Sequence, residues 1–311
     1  MIKNVFITGA SGCVGHYLID ECLKHENLHL HLLIRDKRKL KVKNIDESRV
    51  TIHEVDFLNI ETLAPIISNM HYVIHAITSW GADDITYKIN VEKTKWLFET
   101  ANKGPLERII YFSTASILGK GNKTIVEAEK YGSGYVRTKY QAHQMLQSLS
   151  MKDKITTVFP TLVIGGDQHY PQSHISSGIY PNLKQIKIML PFYIKGAFHF
   201  LHTADIAQVT VHLMLNPHEK AEYALGQQSQ TLKQSLKDLA SVFQLRQWLQ
   251  IRISRRLLMA LATILRIKVG PWERYCIQNS NMVFDVVRPE DFGLKSKFPD
   301  FNSVLEDIKS W

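Results

Sequence analysis

The sequence has 311 residues, of which 45% are hydrophobic and 22% charged, a composition typical of a globular protein large enough to bury a full core. The formal net charge of +9 suits an anionic ligand or an acidic surface, but no nucleic-acid-binding motif accompanies it, and a nucleic-acid partner is not expected. The three cysteines form no CxxC pair, which excludes a disulfide framework and predicts a reducing, cytoplasmic location. We expect neither a signal peptide nor a transmembrane segment, since the longest apolar run, at 257–265, is shorter than the roughly 20 residues that span a bilayer.

The first predicted strand, at 2–8, leads into a turn with three glycines. A helix follows at 14–24, where apolar residues recur at helical spacing. In such a strand–turn–helix unit, Gly9 would permit the tight turn, Gly12 would let a pyrophosphate approach the backbone, and Gly15 would let the helix pack close to the strand. The motif alone is equally compatible with a glycine-rich turn that binds no ligand.

Five further strands alternate with helices as far as residue 159. The strands are predicted at 28–34, 50–55, 72–77, 108–112 and 155–159, and the helices at 59–70, 91–101 and 135–149. This alternation predicts an α/β fold with a doubly wound parallel sheet of Rossmann type.

The pattern becomes less regular after Gly165. A loop is predicted at 165–178, short strands at 198–201 and 221–225, and helices from His202, at 232–243 and at 254–267. We expect a Rossmann-type domain over 1–165 and a smaller C-terminal substrate lobe over 166–311. The lobe would pack closely on the first domain across the strand ends, where ligands bind in open α/β sheets.

The helix predicted at 135–149 begins with Tyr135 and Lys139, which share one helix face because they lie four residues apart. A nearby ammonium favours the phenolate and lowers the pKa of a tyrosine from its reference value of about 10. Such a phenol can exchange a proton with a substrate oxygen, and a hydroxyl from Ser113 or Thr114 can hold that oxygen. A surface tyrosine and lysine one turn apart are common, so this pair alone is a weak signal.

The order of these motifs resembles that of the extended short-chain dehydrogenase/reductases, also called the NAD-dependent epimerase/dehydratase family. The residues that carry the resemblance are Thr8-Gly-Ala-Ser-Gly-Cys-Val-Gly15, Asp56-Phe-Leu58, Val73-Ile-His-Ala76, Asn90-Val91, Tyr111-Phe-Ser-Thr-Ala-Ser-Ile-Leu-Gly119, Tyr135-Val-Arg-Thr-Lys139, Pro160-Thr-Leu-Val-Ile-Gly165 and His202-Thr-Ala-Asp205. The resemblance extends over about residues 1–210 and is faint beyond them.

The resemblance implies an NAD(P)-binding domain with a catalytic site of Thr114, Tyr135 and Lys139. Tyr135 would be the acid/base. Lys139 would lower the pKa of Tyr135 and hydrogen-bond the nicotinamide ribose. Thr114, with Ser113 as the neighbouring candidate, would hold the substrate oxygen.

The resemblance also implies a set of cofactor contacts. The implied residues are Gly9, Ser11, Gly12, Cys13, Val14, Gly15, Asp56, Phe57, Ala76, Ile77, Thr78, Lys139, Pro160, Thr161 and Val163. Residues 56–57 would lie at the adenine, 76–78 along the nicotinamide ribose and 160–163 on the nicotinamide side, while Asn90 would brace the loops of the site. The chain departs from the family at Phe159, where an arginine often precedes the proline.

The residue at the end of the second strand predicts the choice of cofactor. An acidic residue about 20 positions beyond the glycines binds the ribose 2′-OH in dinucleotide folds, whereas an arginine accommodates a 2′-phosphate. Arg35 stands there, Asp36 comes one place late, and the stretch 35–43 is rich in lysine and arginine. This favours NADP(H) over NAD(H), although a solvated basic loop or, less well, a nucleic-acid patch would have the same composition.

These features predict an NADP(H)-dependent oxidoreductase that moves hydride between the cofactor and a carbonyl or alcohol carbon of a small, apolar substrate. One alternative is a nucleotide-sugar epimerase or dehydratase that retains NAD(P), and another is a non-catalytic dinucleotide-binding sensor. The intact Thr114, Tyr135 and Lys139 argue against the sensor, and Arg35 argues mildly against the sugar-nucleotide enzymes. The histidines have no metal-ligand spacing, so no metal site is expected, and a homodimer is left open.

The stretch 252–267 is apolar with basic residues at both ends. It would line an apolar pocket, pack on a second subunit or lie on a membrane surface. A plain core helix is the default interpretation.

Overall fold

The computed structural model describes residues 1–42, 45–247 and 249–310. Lys43, the last residue of the predicted basic stretch, lies outside the described residues. The strands are β1 (Lys3–Thr8), β2 (Leu28–Ile34), β3 (Val50–Glu54), β4 (Tyr72–His75), β5 (Arg108–Phe112), β6 (Ile155–Pro160), β7 (Leu162–Ile164), β8 (Phe192–Tyr193), β9 (Ala197–Phe198), β10 (Phe200–His202), β11 (Glu222–Leu225), β12 (Gln230–Thr231), β13 (Ile251–Arg252) and β14 (Val286–Val287).

The helices lie between these strands. The α-helices are α1 (Cys13–Leu23), α2 (Ala64–Ile67), α3 (Asp83–Tyr87), α4 (Thr94–Ala101), α5 (Glu127–Tyr131), α6 (Gly134–Gln147), α7 (His174–Ile179), α8 (Leu183–Met189), α9 (Thr203–Leu215), α10 (Leu232–Val242), α11 (Arg255–Ile264), α12 (Pro271–Gln278) and α13 (Phe301–Lys309). Short 3-10 helices occur at Lys37–Lys39, Phe57–Leu63, Ala115–Ile117, Lys120–Asn122, Lys152–Lys154, Tyr180–Asn182 and Pro289–Phe292, and a π-helix at Lys88–Lys93.

Eight strands form one sheet in the order β14-β11-β6-β5-β4-β1-β2-β3, and every neighbouring pair is parallel. The first six strands therefore have the 3-2-1-4-5-6 order of a dinucleotide-binding fold. The predicted α/β fold with a doubly wound parallel sheet is confirmed. The strand order reverses between β1 and β4, and the crevice beyond their carboxyl ends is where ligands bind in such sheets.

Apolar side chains cover both faces of this sheet, since successive strand residues point to opposite sides. Val5 and Ile7 belong to the core beneath α1 and α9, whereas Phe6 belongs to the core beneath α4 and α6. Both clusters consist of buried residues, and burial of this kind contributes about 25 cal/mol per Å² of apolar surface. The glycine turn after β1 is thus anchored from both sides.

Two predicted helices differ from the structure. The helix predicted at 59–70 is a 3-10 helix, Phe57–Leu63, followed by the single turn of α2. Pro65 explains the break, because it has no N–H to donate and is tolerated only in the first turn of a helix. The helix predicted at 91–101 starts earlier, as the π-helix Lys88–Lys93 that continues into α4.

The C-terminal half holds further differences. The loop predicted at 165–178 ends in α7, which Ser173 caps by accepting from Ser176 N. The strand predicted at 198–201 is two strands, β9 and β10, which pair with β12 and β7. Strands β11 and β14 of this half extend the main sheet beyond β6, a pairing that no local pattern predicts. The domain boundary at 165 stays a prediction.

The stretch 252–267 is not a core helix. It forms β13 and then α11, and none of the α11 residues is buried. The helix is strongly amphipathic, but its apolar residues at 257, 261 and 264 are exposed rather than covered by another element. The default interpretation was wrong because periodicity reports that a helix has an apolar face, not what that face contacts.

Candidate active site

The glycine turn is shaped by the lack of side chains at two positions. Gly9 has φ of +73°, and a Cβ there would stand 2.9 Å from the carbonyl carbon of Ala76. A Cβ on Gly15 would stand 2.2 Å from the carbonyl oxygen of Gly9, inside contact distance. Gly12 is the exposed N-cap of α1, which has neither a side-chain cap nor an acidic residue in its first turn. The free N–H groups of this helix therefore fit an anion such as a pyrophosphate.

The other residues predicted in this turn have side chains that belong to the fold. Ser11 is half-buried, and Val14 packs against the core beneath α1. Burial raises the pKa of the Cys13 thiol to about 12. Cys13 is therefore a neutral thiol at physiological pH, and the group it offers to an anion is its backbone N–H.

The end of β2 has one free arginine. Arg35 is exposed and, among the described residues, has no hydrogen-bond or ion-pair partner. Asp36 instead accepts two hydrogen bonds from the Arg38 guanidinium, both at 2.9 Å, and a third from Arg38 N. These contacts hold the pKa of Asp36 at about 2. The carboxylate that would bind a ribose 2′-OH is thus already engaged, and Arg35 stays available to an anionic group.

Asp56 and Phe57, predicted at the adenine, follow β3. Asp56 accepts from Leu58 N at 2.8 Å and so caps the 3-10 helix. The Phe57 side chain is 1% exposed and lies 5.4 Å from the ring of His75 in the core. Phe57 therefore offers only its backbone to a ligand, while Asp56 is half-buried.

A brace of hydrogen bonds holds the loop after β4, which contains Ala76, Ile77 and Thr78. Asn90 Oδ1 accepts from Ser79 N at 3.1 Å, and Asn90 Nδ2 donates to Thr138 Oγ1 at 2.9 Å. The structure confirms that Asn90 braces the loops, here joining the loop to α6. The three loop residues are half-buried and line the crevice opposite Gly9.

Two adjacent hydroxyls stand at the end of β5. Thr114 Oγ1 accepts from Ser116 N at 3.2 Å and hydrogen-bonds the Tyr135 side chain. Ser113 Oγ is buried and, within the described part of the chain, has no hydrogen-bond partner. The structure therefore brings Thr114, rather than Ser113, to Tyr135.

Tyr135 lies in the first turn of α6 beneath an aromatic cover. The exposed indole of Trp80 stacks on its ring, with centroids 3.8 Å apart and planes at 13°. Burial raises the pKa of Tyr135, and the hydrogen bond from Thr114 partly lowers it. The expectation that Lys139 lowers this pKa stays a prediction, because Lys139 contacts β5 here and desolvation of the phenol disfavours the phenolate. Trp80 was missed, since a tryptophan in a loop has no distinguishing sequence signal.

Lys139 is buried one turn further along α6. Its Nζ donates to the carbonyl oxygen of Phe112 at 2.7 Å and to Tyr111 Oη at 3.5 Å, and it lies 4.8 Å from the centre of the Tyr111 ring. Burial lowers its pKa to about 7. Lys139 is therefore placed to exchange a proton near neutral pH, and it contacts β5 rather than Tyr135.

The residues predicted beside the nicotinamide follow β6. Pro160 ends β6 as a buried residue, and Thr161 donates its hydroxyl to the carbonyl oxygen of Leu225 at 2.8 Å. Val163, in β7, packs against the core. Phe159, where the family often has arginine, is buried with its ring 5.5 Å from that of His143. An apolar residue here fits this buried position.

A cavity of about 510 Å³ opens beside the turn that follows Thr114. Ala115 and Ser116 line one side, and Trp272 and Phe284 of the C-terminal half line another. Trp272, Phe284 and Tyr135 pack against the same hydrophobic cluster. The cavity therefore adjoins the candidate catalytic residues, and its two aromatic walls were not predicted because they come from distant, irregular segments.

Comparison with known proteins agrees with this geometry. The profile of the NAD-dependent epimerase/dehydratase family matches residues 5–226. A sterol-4-alpha-carboxylate 3-dehydrogenase (decarboxylating) of Candida albicans is 24% identical over 172 residues, which cover 50% of this chain and 49% of that protein. The oxidoreductase AgnL4 of Paecilomyces divaricatus is 34% identical over 76 residues, or 24% of this chain and 29% of that one. The chain thus matches about half or less of the length of these curated relatives.

Solved structures share the fold over nearly the whole chain. The crystal structure of gox2253 has a TM-score of 0.74 at 21% identity and covers 99% of this chain and 97% of its own. A UDP-glucose 4-epimerase of Thermotoga maritima, solved with UDP-glucose, has a TM-score of 0.68 at 14% identity and covers 98% of this chain and 97% of its own. At these sequence identities, the structural similarity shows a shared fold and nothing further. With the profile matched over more than half of its length, the chain belongs to the NAD-dependent epimerase/dehydratase family of enzymes.

Proposed function

We propose that this enzyme is an NADP(H)-dependent oxidoreductase that reduces the carbonyl group of a small, apolar substrate. The observation that carries the proposal is the cavity beside Thr114, whose walls include Trp272, Met282 and Phe284. The other lining residues include Ser116, Lys120, Asn279 and Asn281, so the walls combine apolar and aromatic side chains with several polar groups. A pocket of this size and mixed lining suits a small, largely hydrophobic ligand whose orientation is fixed by a few polar contacts. The curated match to a dehydrogenase of a sterol carboxylate, a largely apolar molecule, supports the same substrate class.

The charge of the cavity argues against a sugar nucleotide. Such a substrate brings a second pyrophosphate, which needs convergent cations. Among the described residues that line the cavity, Lys120 is the one cation. Arg255, a further arginine of the C-terminal half, donates to Ser280 Oγ at 3.0 Å.

The cofactor preference rests on the end of β2. Arg35 would hold the 2′-phosphate of NADP(H), because its guanidinium is unpaired while Asp36 is engaged by Arg38. The N–H groups at the start of α1 would hold the pyrophosphate. When bound, NADPH supplies the hydride that reduces the carbonyl carbon.

Residues of the chain would bind the substrate oxygen and supply its proton. Tyr135 gives its proton to this oxygen as the carbon becomes tetrahedral, and Thr114 donates a hydrogen bond to the same atom. A tyrosine whose pKa is raised stays protonated at neutral pH and is therefore ready to act as an acid. Lys139, with a pKa of about 7, would restore the proton and reach the nicotinamide ribose once its hydrogen bond to Phe112 is exchanged.

A substrate panel tests the proposal. Consumption of NADPH is followed by its absorbance with cyclic and aromatic ketones and aldehydes, beside calorimetry with UDP- and dTDP-sugars. The Lys120→Ala variant is the matched control: it should leave the KM for a ketone within about twofold, since the ketone has no charge to pair. Tight binding of a sugar nucleotide that Lys120→Ala abolishes, without NADPH consumption on any ketone, would favour the epimerase or dehydratase alternative.

A further inference from the structure

Three elements of the C-terminal half that follow from one another through a strand pair expose both apolar and basic side chains. Helix α8 ends at Met189 and leads through Pro191 into β8, β8 pairs with β13, and β13 leads into α11. Ile251 N donates to the carbonyl oxygen of Pro191 at 2.7 Å, which fixes the two segments to each other. We call α8, the β8–β13 pair and α11 the basic apolar surface.

The outward side of α11 is a stripe of large aliphatic residues. Leu257, Leu261, Ile264 and Leu265 are spaced i, i+4, i+7 and i+8, and all four are exposed. Ile264 is 74% exposed. A helix that turns its apolar stripe outward is expected to meet a partner, since contiguous apolar patches are rare on free protein surfaces.

Exposed apolar residues also lie on α8 and on the β8–β13 pair that precedes α11. Ile188 at the end of α8 is 73% exposed, and Met189 beside it is also exposed. Phe192 and Ile251 lie opposite each other in the β8–β13 pair, and both are exposed. Exposed apolar residues therefore occur on α8, on the hydrogen-bonded β8–β13 pair and on α11, and not on one helix alone.

Two longer stretches that contain these elements are rich in positive charge, and five of their charges (Lys184, Lys187, Arg252, Arg255 and Arg256) lie on the basic apolar surface itself. Residues 168–204 contain three Lys or Arg and residues 239–272 contain six, with no Asp or Glu in either segment. These nine charges equal the formal net charge of +9 of the whole chain. Arg255 and Arg256 even occupy the first turn of α11, where positive charge opposes the helix dipole. Local helix stability alone would disfavour this arrangement.

Charge complementarity selects the partner. A second copy of the chain would bring two equally basic patches together in a symmetric contact, which is electrostatically unfavourable. A bilayer with anionic headgroups offers negative charge at its surface and an apolar layer directly beneath it. None of the helices in the described ranges has the length and apolar character that a membrane crossing requires, so α11 would lie in the interface.

We propose that the basic apolar surface docks this enzyme on anionic lipid bilayers. Ile264, Leu265 and Phe192 enter the headgroup–acyl boundary, and Lys187 and Arg256 pair with lipid phosphates. The proposal rests on exposure and charge and does not depend on the proposed reaction.

Vesicle sedimentation tests the proposal with the full chain. The probes are vesicles of phosphatidylcholine containing phosphatidylglycerol, and vesicles of phosphatidylcholine alone. The wild type should sediment with the anionic vesicles and much less with the neutral ones, and high salt should release it. Arg256→Glu and Lys187→Glu should each weaken binding by roughly five-fold or more, and the double variant Ile264→Ser/Leu265→Ser by roughly ten-fold or more.

Matched controls come from exposed positions elsewhere. Ile2→Ser and Lys152→Glu remove an exposed apolar side chain and an exposed charge outside the surface, and should bind like the wild type. Circular dichroism and the melting temperature should be the same for all variants, because every changed side chain is exposed. Failure of the wild type to bind anionic vesicles, or equal losses in the surface and control variants, would overturn the proposal. It would also be overturned if light scattering showed a dimer that Ile264→Ser/Leu265→Ser converts to a monomer.

Discussion

Trp80 lies flat on Tyr135, with ring centroids 3.8 Å apart and planes inclined by 13°. The indole is 65% exposed, so it shields the phenol from water while standing in water itself. The Trp80 ring also lies 6.1 Å from the ring of His174, at the start of α7. The candidate acid of the site is therefore covered by a residue from the loop after β4.

Removing this cover should lower the pKa of Tyr135. Burial raises that pKa in the structure, so Trp80→Ala, which admits water, should move it back toward the ordinary value of about 10. Reduction needs the protonated phenol, and the alkaline fall of kcat/KM should therefore shift to lower pH. Trp80→Phe keeps an aromatic cover and should behave like the wild type. Equal pH profiles for the Ala and Phe variants would show that the stack does not control the proton.

The two hydroxyls after β5 should differ in their effects. Thr114→Val should reduce kcat by roughly 10²-fold or more, because it removes the donor to the substrate oxygen, whereas Thr114→Ser should retain most activity. Ser113→Ala should leave kcat nearly unchanged and keep or raise stability by up to about 1 kcal/mol, since it removes a buried hydroxyl without a partner among the described residues. Steady-state kinetics of the three variants measure kcat, and urea unfolding measures their stability. The assignment would have to be reversed if Ser113→Ala lost activity and Thr114→Val kept it.

Lys139 should make stability depend on pH. Its pKa is about 7 in the folded protein and about 10.5 in the unfolded chain, so between these values the unfolded chain holds the proton that the folded one has released. Stability should therefore rise with pH across this window, by at most about 1.4 kcal/mol per pH unit from this group. Stability is best compared between pH 7 and 9. Above pH 9 the Cys13 thiol, whose pKa is raised from 9.0 to about 12, makes stability fall as the pH rises.

Lys139→Met removes this group with little change of volume. Urea unfolding at several pH values should show that the stability difference between wild type and variant grows in favour of the wild type as pH rises from 7 to 9. A difference that stays constant with pH would mean that Lys139 is not buried with a lowered pKa.

Arg35 should set the preference between the two cofactors. Arg35→Asp should weaken NADPH binding by roughly ten-fold or more, because it loses charge-assisted hydrogen bonds to the 2′-phosphate, and should improve NADH binding. Lys39→Asp is the matched control, since it makes the same change of charge at an exposed position of the same stretch and leaves the Arg38–Asp36 pair intact. Fluorescence titrations of NADPH and NADH against the wild type and both variants measure these affinities. A wild type that binds NADH more tightly, or equal losses in the two variants, would contradict the role of Arg35.

The sequence predicts the parts of this molecule that depend on local patterns. The strands at β1, β2 and β5 fall within a residue of their predicted bounds, because a buried parallel strand is a short, nearly continuous apolar run. The close approach at Gly15 is similarly local, since a Cβ there would meet Gly9 and Ala10 of the same turn. The family and the parallel sheet followed from these patterns.

Other features depend on contacts between distant segments. Strand β11 joins the sheet beside β6, 62 or more residues away in the chain, and Trp272 reaches the cavity from a helix that no motif marks. The direction of the Tyr135 pKa also depends on such contacts, because the spacing of Tyr135 and Lys139 gives their shared face but neither the burial of the phenol nor the bond from Lys139 to Phe112. These contacts decide the chemistry of the site, and only the folded structure shows them.

Hydride transfer from NADPH to a ketone is measured most directly with a labelled cofactor. NADPH carrying deuterium at the reactive C4 position of the nicotinamide is incubated with the enzyme and the best ketone of the panel, and the released alcohol is analysed by mass spectrometry. One deuterium per alcohol, matched by one NADP⁺ released and lost in Tyr135→Phe, is the expected result. Deuterium that never leaves the cofactor, while a sugar nucleotide is converted without net loss of NADPH, would contradict it.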